Sequence, residues 1–401
     1  MIPLTAMVTG KGTVSFKIKG RYGRGSRPSS FTSILRPVVF WNITYKCNLK
    51  CKHCYINAGD PNLIRRELPV EKTIEIADQI IEQKIPLVVF TGGEPLVSEK
   101  FWRIAEYMVS RGYTRISVST NGTVIDWETA QRLKRLGVRY VGISLDSLVP
   151  EKHDEFRGVK GAWEKSVEGM RNSVKAGLPT GLRVTVTRDN ISEVPDMVDF
   201  AASLGLERVS IYLLDTTGRA ANELELLPSP ARLRGMIDRL IEKAIEYQDI
   251  LEILLVRMNF AGIYIASRIA KSREEFLELL KIIGAQGDCG RKTISIYPDG
   301  TVRPCQFLES IVVGDLRRES LTDILSPDNP RLKPFFNVPE RLRGERCSRC
   351  PFKHVCGGGS RNRALSATGD FWGDDPSCFF NPWEIAEKWG VNSGEIRSII
   401  R

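Results

Sequence analysis

Three cysteines stand close together near the amino terminus, in the stretch "CNLKCKHCY". They are Cys47, Cys51 and Cys54, and the next cysteine along the chain is the distant Cys289. Iron–sulfur clusters are usually held by four thiolates, so three thiolates leave one iron with an open coordination position. Catalytic zinc sites keep a position free for the same purpose, which is to bind a substrate or cofactor. By itself the triad also fits a partial zinc site or buried thiols.

Three other polar stretches, "TGGEP", "STNG" and "SLD", follow apolar runs farther along the chain. The glycines of the first stretch permit close approach of the backbone to a ligand, and its carboxylate suits an ammonium group. The second and third stretches are common in turns and are informative only through their positions in the repeat. The candidate residues in these stretches are Gly92, Gly93, Glu94, Pro95, Asn121, Ser144 and Asp146.

Six short apolar runs alternate with amphipathic, helix-like segments from about residue 38 onward. The runs are "VVFWNIT", "PLVVFTGG", "RISVSTNG", "YVGISLD", "LRVTVTR" and "RVSIYLLD". This alternation is typical of parallel βαβ units and predicts an α/β fold, either a partial or complete barrel or an open doubly wound sheet. Because the carboxyl ends of parallel strands carry the active site in such folds, we expect the cysteines and the polar stretches to meet there.

The composition is that of a globular protein, with 42% hydrophobic and 26% charged residues among 401. No apolar run approaches the ~20 residues of a membrane span, and the opening segment does not resemble a secretion signal. We therefore expect a cytoplasmic protein. In a reducing compartment the nine cysteines are expected to bind metal or do redox chemistry rather than form disulfides.

The net charge of +10 fits nucleic acid, an anionic small molecule or a basic surface. Since no RNA-recognition pattern is present, nucleic acid is the least favoured partner. We therefore expect neither nucleic acid nor a membrane as the partner, which leaves an anionic small molecule or a basic surface.

The character of the sequence changes after residue 285. The stretch "TISIYPDGTVRPCQF" predicts a hairpin around Pro298-Asp299-Gly300. A cysteine-rich region follows, and its thiolates suit a structural zinc ion or a closed four-iron cluster equally well. The last twenty residues predict a helix. The cysteines concerned are Cys347, Cys350, Cys356 and Cys378.

The CxxxCxxC spacing followed by "TGGEP" resembles the two hallmarks of the radical S-adenosylmethionine (radical SAM) enzymes. The resemblance implies a partial (β/α)6 barrel and a [4Fe–4S] cluster whose open iron binds S-adenosylmethionine. It implies reductive cleavage of that cofactor to a 5′-deoxyadenosyl radical, which abstracts hydrogen from a substrate. It also implies a low-potential electron donor of the ferredoxin or flavodoxin type.

The resemblance carries residue roles with it. Cys47, Cys51 and Cys54 are implied as the catalytic cluster ligands. His53 is expected near the adenine, the glycine-rich stretch with Glu94 at the methionine amino group, and Arg157 at the methionine carboxylate. The complete set of residues implied in cofactor binding is His53, Gly92, Gly93, Glu94, Pro95, Asn121, Ser144, Asp146 and Arg157.

The later cysteines resemble the SPASM/twitch extension of these enzymes, which implies auxiliary iron–sulfur clusters. One auxiliary [4Fe–4S] cluster is expected on the four cysteines from Cys347 to Cys378. A second cluster on Cys289 and Cys305 would be incomplete, because the full pattern has a cysteine where this chain has Ser360. The organisation predicted is a basic arm over 1–37, a barrel over 38–284, a SPASM/twitch domain over 285–381 and a helix over 382–401.

The flanking segments resemble the haem-pathway subgroup, which contains didecarboxysiroheme deacetylases, haem d1 maturases and Fe-coproporphyrin decarboxylases. Deacetylation of didecarboxysiroheme to Fe-coproporphyrin III is the preferred expectation. The alternatives are haem d1 maturation, Fe-coproporphyrin decarboxylation and a SPASM peptide or cofactor maturase. A peptide maturase usually carries an N-terminal winged-helix domain, which residues 1–37 are too few to form. A carboxylate-rich tetrapyrrole suits basic side chains. Candidates are Arg21, Arg24, Arg27, Arg361 and Arg363, with His354 as a candidate iron ligand.

Overall fold

The computed structural model describes residues 1–11, 36–221, 223–285 and 287–400. Within these residues, eleven strands form one sheet in the order β1-β8-β7-β6-β5-β4-β3-β2-β9-β10-β11. The strands are β1 (Ile2–Pro3), β2 (Val38–Thr44), β3 (Val88–Gly92), β4 (Ile116–Thr120), β5 (Val141–Ser144), β6 (Thr180–Val186), β7 (Arg208–Leu213), β8 (Glu252–Val256), β9 (Thr293–Ile296), β10 (Thr301–Arg303) and β11 (Gly314–Asp315).

From β2 to β8, strands that follow each other in the chain are neighbours in the sheet, and all of them pair in parallel. A doubly wound sheet reverses its strand order part-way, and the run from β2 to β8 does not. Within the described residues, β1 and β11 remain the two edges of the sheet. The sheet is therefore an open, barrel-like one. It contains the six predicted strands and, as an addition, β8, whose run "EILLV" the sequence analysis did not assign.

The helices between the strands bury one apolar face against the sheet. In α4, Phe101, Ile104, Ala105 and Met108 are buried, which is the i, i+3, i+4, i+7 spacing of an amphipathic helix. The α-helices of the described residues are α1 (Leu4–Thr9), α2 (Pro61–Ile64), α3 (Val70–Glu82), α4 (Glu99–Ser110), α5 (Trp127–Arg135), α6 (Pro150–Arg157), α7 (Ala162–Lys175), α8 (Val194–Ser203), α9 (Pro230–Glu246), α10 (Phe260–Ile269), α11 (Arg273–Ile283), α12 (Leu321–Ile324), α13 (Lys353–Cys356), α14 (Arg361–Thr368), α15 (Pro382–Trp389) and α16 (Ser393–Ile400). Across this part of the chain, none of the helices has the length and apolar character that crossing a membrane requires.

The C-terminal segment continues the same sheet. Strand β9 pairs in parallel with β2, and β9 and β10 form the predicted antiparallel hairpin. The predicted C-terminal helix is present as α15 and α16. Trp389 at the end of α15 stacks on Phe276 with ring centroids 5.0 Å apart, and its indole N–H donates to Ser267 Oγ at 3.0 Å. These contacts dock the end of the chain on the barrel.

The first residues differ from the predicted arm over 1–37. Strand β1 pairs antiparallel with β8, and Ile2 and Leu4 are fully buried in the main core. Their apolar side chains and the free edge of β8 explain this packing, which a composition dominated by the later basic residues conceals. That basic part, with Arg21, Arg24 and Arg27, lies outside the described residues.

We predict that Leu4→Ala lowers the free energy of unfolding by about 2–5 kcal/mol, because it leaves a cavity in a closed core. Urea denaturation measures the change. The matched control is Ile250→Ala, whose side chain is 58% exposed and whose replacement should cost under about 0.5 kcal/mol. Equal midpoints for the two variants would contradict the packing of the amino-terminal segment.

Candidate functional site

The three clustered cysteines lie on the cysteine loop, which we define as residues 45–60 following β2. Cys51 is buried and Cys47 and Cys54 are half-buried. Each sulfur accepts a hydrogen bond. Cys47 Sγ accepts from the backbone N–H two residues later at 3.4 Å, Cys54 Sγ from the N–H four residues later at 3.3 Å, and Cys51 Sγ from Arg157 Nη1 at 3.7 Å. The loop thus holds three sulfurs in a preformed polar setting.

Burial also raises the pKa of the Cys47 thiol to about 12, and the nearby carboxylate of Glu94 adds to the shift. Burial raises the pKa of Cys51 against the opposing effect of Arg157. Such thiols favour the protonated form unless a positive centre replaces the proton, and metal binding does this. The donor set, three thiols with no fourth cysteine among the cavity-lining residues described below, fits a cluster with one open iron.

The glycine-rich loop after β3 packs directly on the cysteine loop. Gly93 N–H donates to Thr44 O and Glu94 N–H to Lys46 O, both at 2.8 Å. A Cβ atom on Gly93 would lie 2.1 Å from Lys46 O, and one on Gly92 would lie 2.6 Å from Thr44 O. Gly92 also has φ +128°, which favours glycine. Both glycines are therefore required by contact with protein backbone.

The carboxylate of Glu94 lies behind the cavity wall. It accepts hydrogen bonds from Thr120 Oγ1 at 2.7 Å, from Asn121 N at 2.7 Å and from Leu96 N at 3.0 Å. The last donor belongs to the short 3₁₀ turn that starts at Pro95. Burial raises the pKa of Glu94 to about 7. The expected contact of Glu94 with a ligand ammonium stays a prediction, since in this structure the carboxylate braces the ends of β3 and β4.

Asp146 likewise acts on another side chain. It accepts from Arg157 Nε at 2.7 Å and Nη2 at 2.6 Å, and from Thr185 N at 2.8 Å. Burial alone would raise the pKa of Asp146, but the adjacent charge of Arg157 holds it below its usual value. The pair fixes the guanidinium at the cavity, next to Cys51 Sγ. Asp146 is thus a positioning residue, and its expected direct contact with the cofactor stays a prediction.

His53 is held as a neutral, flat group. Its ring stacks on Phe156 with centroids 4.4 Å apart and planes 6° from parallel. Burial lowers the pKa of His53 to about 3. The cysteine loop is anchored beside it, because Lys50 N donates to Arg157 O at 3.0 Å and Lys52 N to Phe156 O at 2.9 Å.

These elements meet at one cavity of about 970 Å³ at the carboxyl ends of the strands, where the sequence places it. Of the residues predicted to hold the first cluster or the cofactor, Glu94, Pro95 and Asp146 are outside its lining. The predicted residues that line it are Cys47, Cys51, His53, Cys54, Gly92, Gly93, Asn121, Ser144 and Arg157. Polar or aromatic lining residues that the sequence analysis missed are Tyr55, Thr91, Ser119, Thr120, Arg183, Thr185, Tyr212, Asp215, Arg219, Gln306 and Phe307.

Arg219 is the most consequential of the missed residues. Its Nε donates to Cys51 O at 2.7 Å, its Nη1 to Ala58 O at 2.9 Å and its backbone N–H to Cys54 O at 2.9 Å. A Cβ on the preceding Gly218 would lie 2.2 Å from Cys54 O. The segment after β7 therefore clamps the cysteine loop. No local pattern signals this contact, because its partners are far apart in the chain.

A second cavity, of about 380 Å³, is lined by all four of the later cysteines together with apolar side chains such as Phe260, Ile263 and Phe380. Burial raises the pKa of Cys347 and Cys378 to about 12 and that of Cys350 to about 11. Among the described residues, no group of three Cys, His, Asp or Glu side chains could hold a single metal ion. Four thiols around an apolar space larger than one ion fit a four-iron cluster. The four are Cys347, Cys350, Cys356 and Cys378.

The remaining two cysteines, Cys289 and Cys305, form a disulfide with Cα atoms 4.9 Å apart. The expectation that the cysteines avoid disulfides is wrong for this pair, because the hairpin brings the two thiols together. Ser360 Oγ accepts from Arg257 Nη2 at 2.8 Å and donates to Asp215 Oδ1 at 2.5 Å, while Arg257 Nη1 lies 3.6 Å from Cys289 Sγ. The Arg257 guanidinium thus lies between Cys289 and Ser360, the position at which the full SPASM pattern has a cysteine. These residues do not fit a cluster, and metal binding by the pair stays a prediction that requires its reduction.

The C-terminal basic candidates have internal partners. Arg363 is fully buried and donates to Asp375 Oδ2 at 2.7 Å and to Leu214 O at 3.0 Å. Arg361 is buried and donates to backbone carbonyls of its own domain. His354 Nε2 lies 3.9 Å from a carboxylate oxygen of Glu340. The two arginines hold the SPASM segment to the barrel and to itself, so the structure does not place them at an anionic substrate.

Comparisons with known proteins agree with this geometry. Residues 41–201 match the family model described as the radical SAM superfamily, and residues 288–351 match SPASM, an iron–sulfur cluster-binding domain. The Fe-coproporphyrin III synthase of Methanosarcina barkeri is 32% identical over 93% of this chain and 96% of the relative. The pre-heme d1 synthase of Dinoroseobacter shibae is 32% identical over 91% of each.

The chain belongs to the radical SAM superfamily. As a radical SAM enzyme with a SPASM domain, it uses S-adenosylmethionine and a [4Fe–4S] cluster, and its SPASM domain implies auxiliary iron–sulfur clusters. The crystal structure of Streptococcus suis SuiB bound to S-adenosylmethionine superimposes with a TM-score of 0.65 at 17% identity, covering 86% of this chain and 78% of that one. The predicted family, fold class and cofactors of this radical SAM enzyme are thus confirmed.

We predict that Gly93→Ala reduces 5′-deoxyadenosine formation by about a hundredfold, since its Cβ forces the two loops apart and a shift of about 1 Å near reacting groups has this cost. Anaerobic assays with dithionite and S-adenosylmethionine measure it.

Gly235→Ala is the matched control for this variant. It lies in α9 with no atom within 4 Å of an added Cβ, so activity should not change. Wild-type activity in Gly93→Ala would contradict the role assigned to the backbone contact.

Proposed function

We propose that this radical SAM enzyme removes acetate side chains from didecarboxysiroheme to give Fe-coproporphyrin III, a step of the alternative haem pathway. The observation that carries the proposal is the 32% identity to Fe-coproporphyrin III synthase along 96% of that protein. The aligned region covers almost the whole of both chains, so it takes in the barrel strands and the SPASM segment as well as the cofactor motifs.

The cavity supplies the parts that this chemistry needs. Cys47, Cys51 and Cys54 hold the open cluster through three thiolates. When bound, the cluster and S-adenosylmethionine supply a 5′-deoxyadenosyl radical that takes a hydrogen atom from an acetate side chain. Arg157, fixed by Asp146 beside the cysteine loop, suits the methionine carboxylate through its paired N–H donors.

The other wall residues orient the cofactor. His53 presents a neutral ring near the cysteines, where it suits the adenine. Asn121 and Ser144, at the ends of the next two strands, offer polar groups for the ribose. Gly92 and Gly93 line the cavity, where their backbone carbonyl groups suit the methionine amino group.

The four later cysteines would hold one auxiliary cluster, which would supply or accept an electron or help to seat the substrate. The electron that starts the reaction comes from a low-potential donor of the ferredoxin or flavodoxin type.

A second candidate is maturation of haem d1, because the identity to pre-heme d1 synthase is also 32%. The two candidates differ in the product, and the mass of the product separates them.

We expect that anaerobic enzyme with dithionite, S-adenosylmethionine and didecarboxysiroheme forms 5′-deoxyadenosine and a tetrapyrrole that has lost two acetate groups. Mass spectrometry of the tetrapyrrole measures this. Fe-coproporphyrin III in place of didecarboxysiroheme is the control substrate and should stay unchanged. A different mass loss would favour the haem d1 candidate, and an unchanged tetrapyrrole beside accumulating 5′-deoxyadenosine would refute both.

Cluster assignment is tested by iron content. Wild-type protein should bind about eight iron atoms, four for each cluster. Cys47→Ala should retain about four and form no 5′-deoxyadenosine. Cys356→Ala should also retain about four, but on the other cluster, and should still cleave S-adenosylmethionine. A wild-type content of about twelve iron atoms would contradict the assignment. So would the loss of S-adenosylmethionine cleavage in Cys356→Ala.

A further inference from the structure

Arg183 occupies an unusual position inside the cavity. It extends from β6 across β5 toward β4, where its Nη1 donates to Ser119 Oγ. It crosses β5 at Gly142, where an added Cβ would lie 2.7 Å from Arg183 Cδ. On the other side, its Cζ lies 4.6 Å from the ring centroid of Tyr212. The space left by Gly142, the Ser119 hydroxyl and the Tyr212 ring together fix the Arg183 guanidinium on the cavity wall.

The partners of Arg183 differ from those of the other cavity arginines. Arg157 is neutralised by Asp146, and Arg219 donates to backbone carbonyls of the cysteine loop. Arg183 contacts a hydroxyl and a ring, and within the described residues no carboxylate is bound to it. A half-buried guanidinium with neutral partners lacks the anion that offsets its desolvation. It is therefore set up to receive one.

We propose that Arg183 binds a carboxylate of the tetrapyrrole substrate, an inference that rests on the proposed function. Planar guanidinium groups bind carboxylates through two parallel N–H donors. The ring of Tyr212 and the gap at Gly142 restrict the group to one orientation, so little conformational freedom remains to be lost on binding. Arg183 and Ser119 line the same cavity as the three cysteines, so the bound carboxylate shares that cavity with the cofactor.

Steady-state kinetics of Arg183→Gln test the proposal. Removing a charge-assisted hydrogen bond should raise the KM for didecarboxysiroheme about ten- to a hundredfold, while the KM for S-adenosylmethionine and its cleavage without substrate stay within about twofold. Arg183→Lys keeps the positive charge but loses the paired N–H donors, so its KM for didecarboxysiroheme should lie between those of the wild-type enzyme and Arg183→Gln. The matched control is Arg239→Gln, an exposed arginine paired with Asp196 on the outer helices, for which no change is expected.

Two further measurements test the same contact, and the first does not use that variant. Gly142→Ala keeps the Arg183 side chain but displaces its methylene groups, and it should raise the KM for didecarboxysiroheme. Wild-type enzyme should bind methyl esters of the substrate at least about tenfold more weakly than the free acid, and Arg183→Gln should lose that discrimination. Iron content and far-UV circular dichroism confirm that each variant is folded.

The outcomes separate this proposal from the one it rests on. If wild-type enzyme converts didecarboxysiroheme and Arg183→Gln has an unchanged KM for it, Arg183 is not a substrate residue and the proposed function stands. A raised KM for S-adenosylmethionine alone would assign the arginine to the cofactor and overturn the proposal. Failure of wild-type enzyme to act on any iron tetrapyrrole would overturn the proposed function, and this inference with it.

Discussion

The contact between two backbone loops sets the geometry on which the rest of the site depends. Gly93 N–H on Thr44 O and Glu94 N–H on Lys46 O dock the glycine-rich loop on the residues immediately before Cys47. The two hydrogen bonds fix where the first cysteine leaves the sheet. They also direct the Glu94 carboxylate inward, where it fastens the ends of the next strands. Because Gly92 and Gly93 lie so close to the backbone of Thr44 and Lys46, the arrangement tolerates no side chain at these two positions.

Two buried ion pairs stand at the cavity, and each holds a segment that follows a strand. Arg157 with Asp146 secures α6 beside the cysteine loop, and Arg257 contacts Asp215 where β7 and β8 end. Removing one partner of a buried pair leaves an uncompensated charge, which costs far more than the pair contributes. The loops are consequently held to one position each. Arg183, whose partners are a hydroxyl and an aromatic ring, is then the cavity cation through which the enzyme can discriminate between substrates.

The parts of the molecule that sequence reasoning predicted are those set by short-range patterns. Apolar runs located six barrel strands, and cysteine spacing identified the two groups of cysteines that each line one cavity. Strand β8 was missed because "EILLV" is bounded by no turn signal, and the amino-terminal strand because it is only two residues long. Arg219 and Arg257 were missed because their partners are distant in sequence. Glu94 is the instructive case, since the pattern identified the residue and the structure shows its carboxylate bound to protein.

Strand β9 belongs to the SPASM segment, yet it pairs with β2, the strand from which the cysteine loop departs. The barrel therefore has no finished edge on that side until the later domain has been made. Shortening the chain before Thr293 would leave the N–H and C=O groups along β2 unpaired, and such an edge invites association with other chains. The chain therefore has no boundary at which the radical-generating part could be cut off and made as an independent domain.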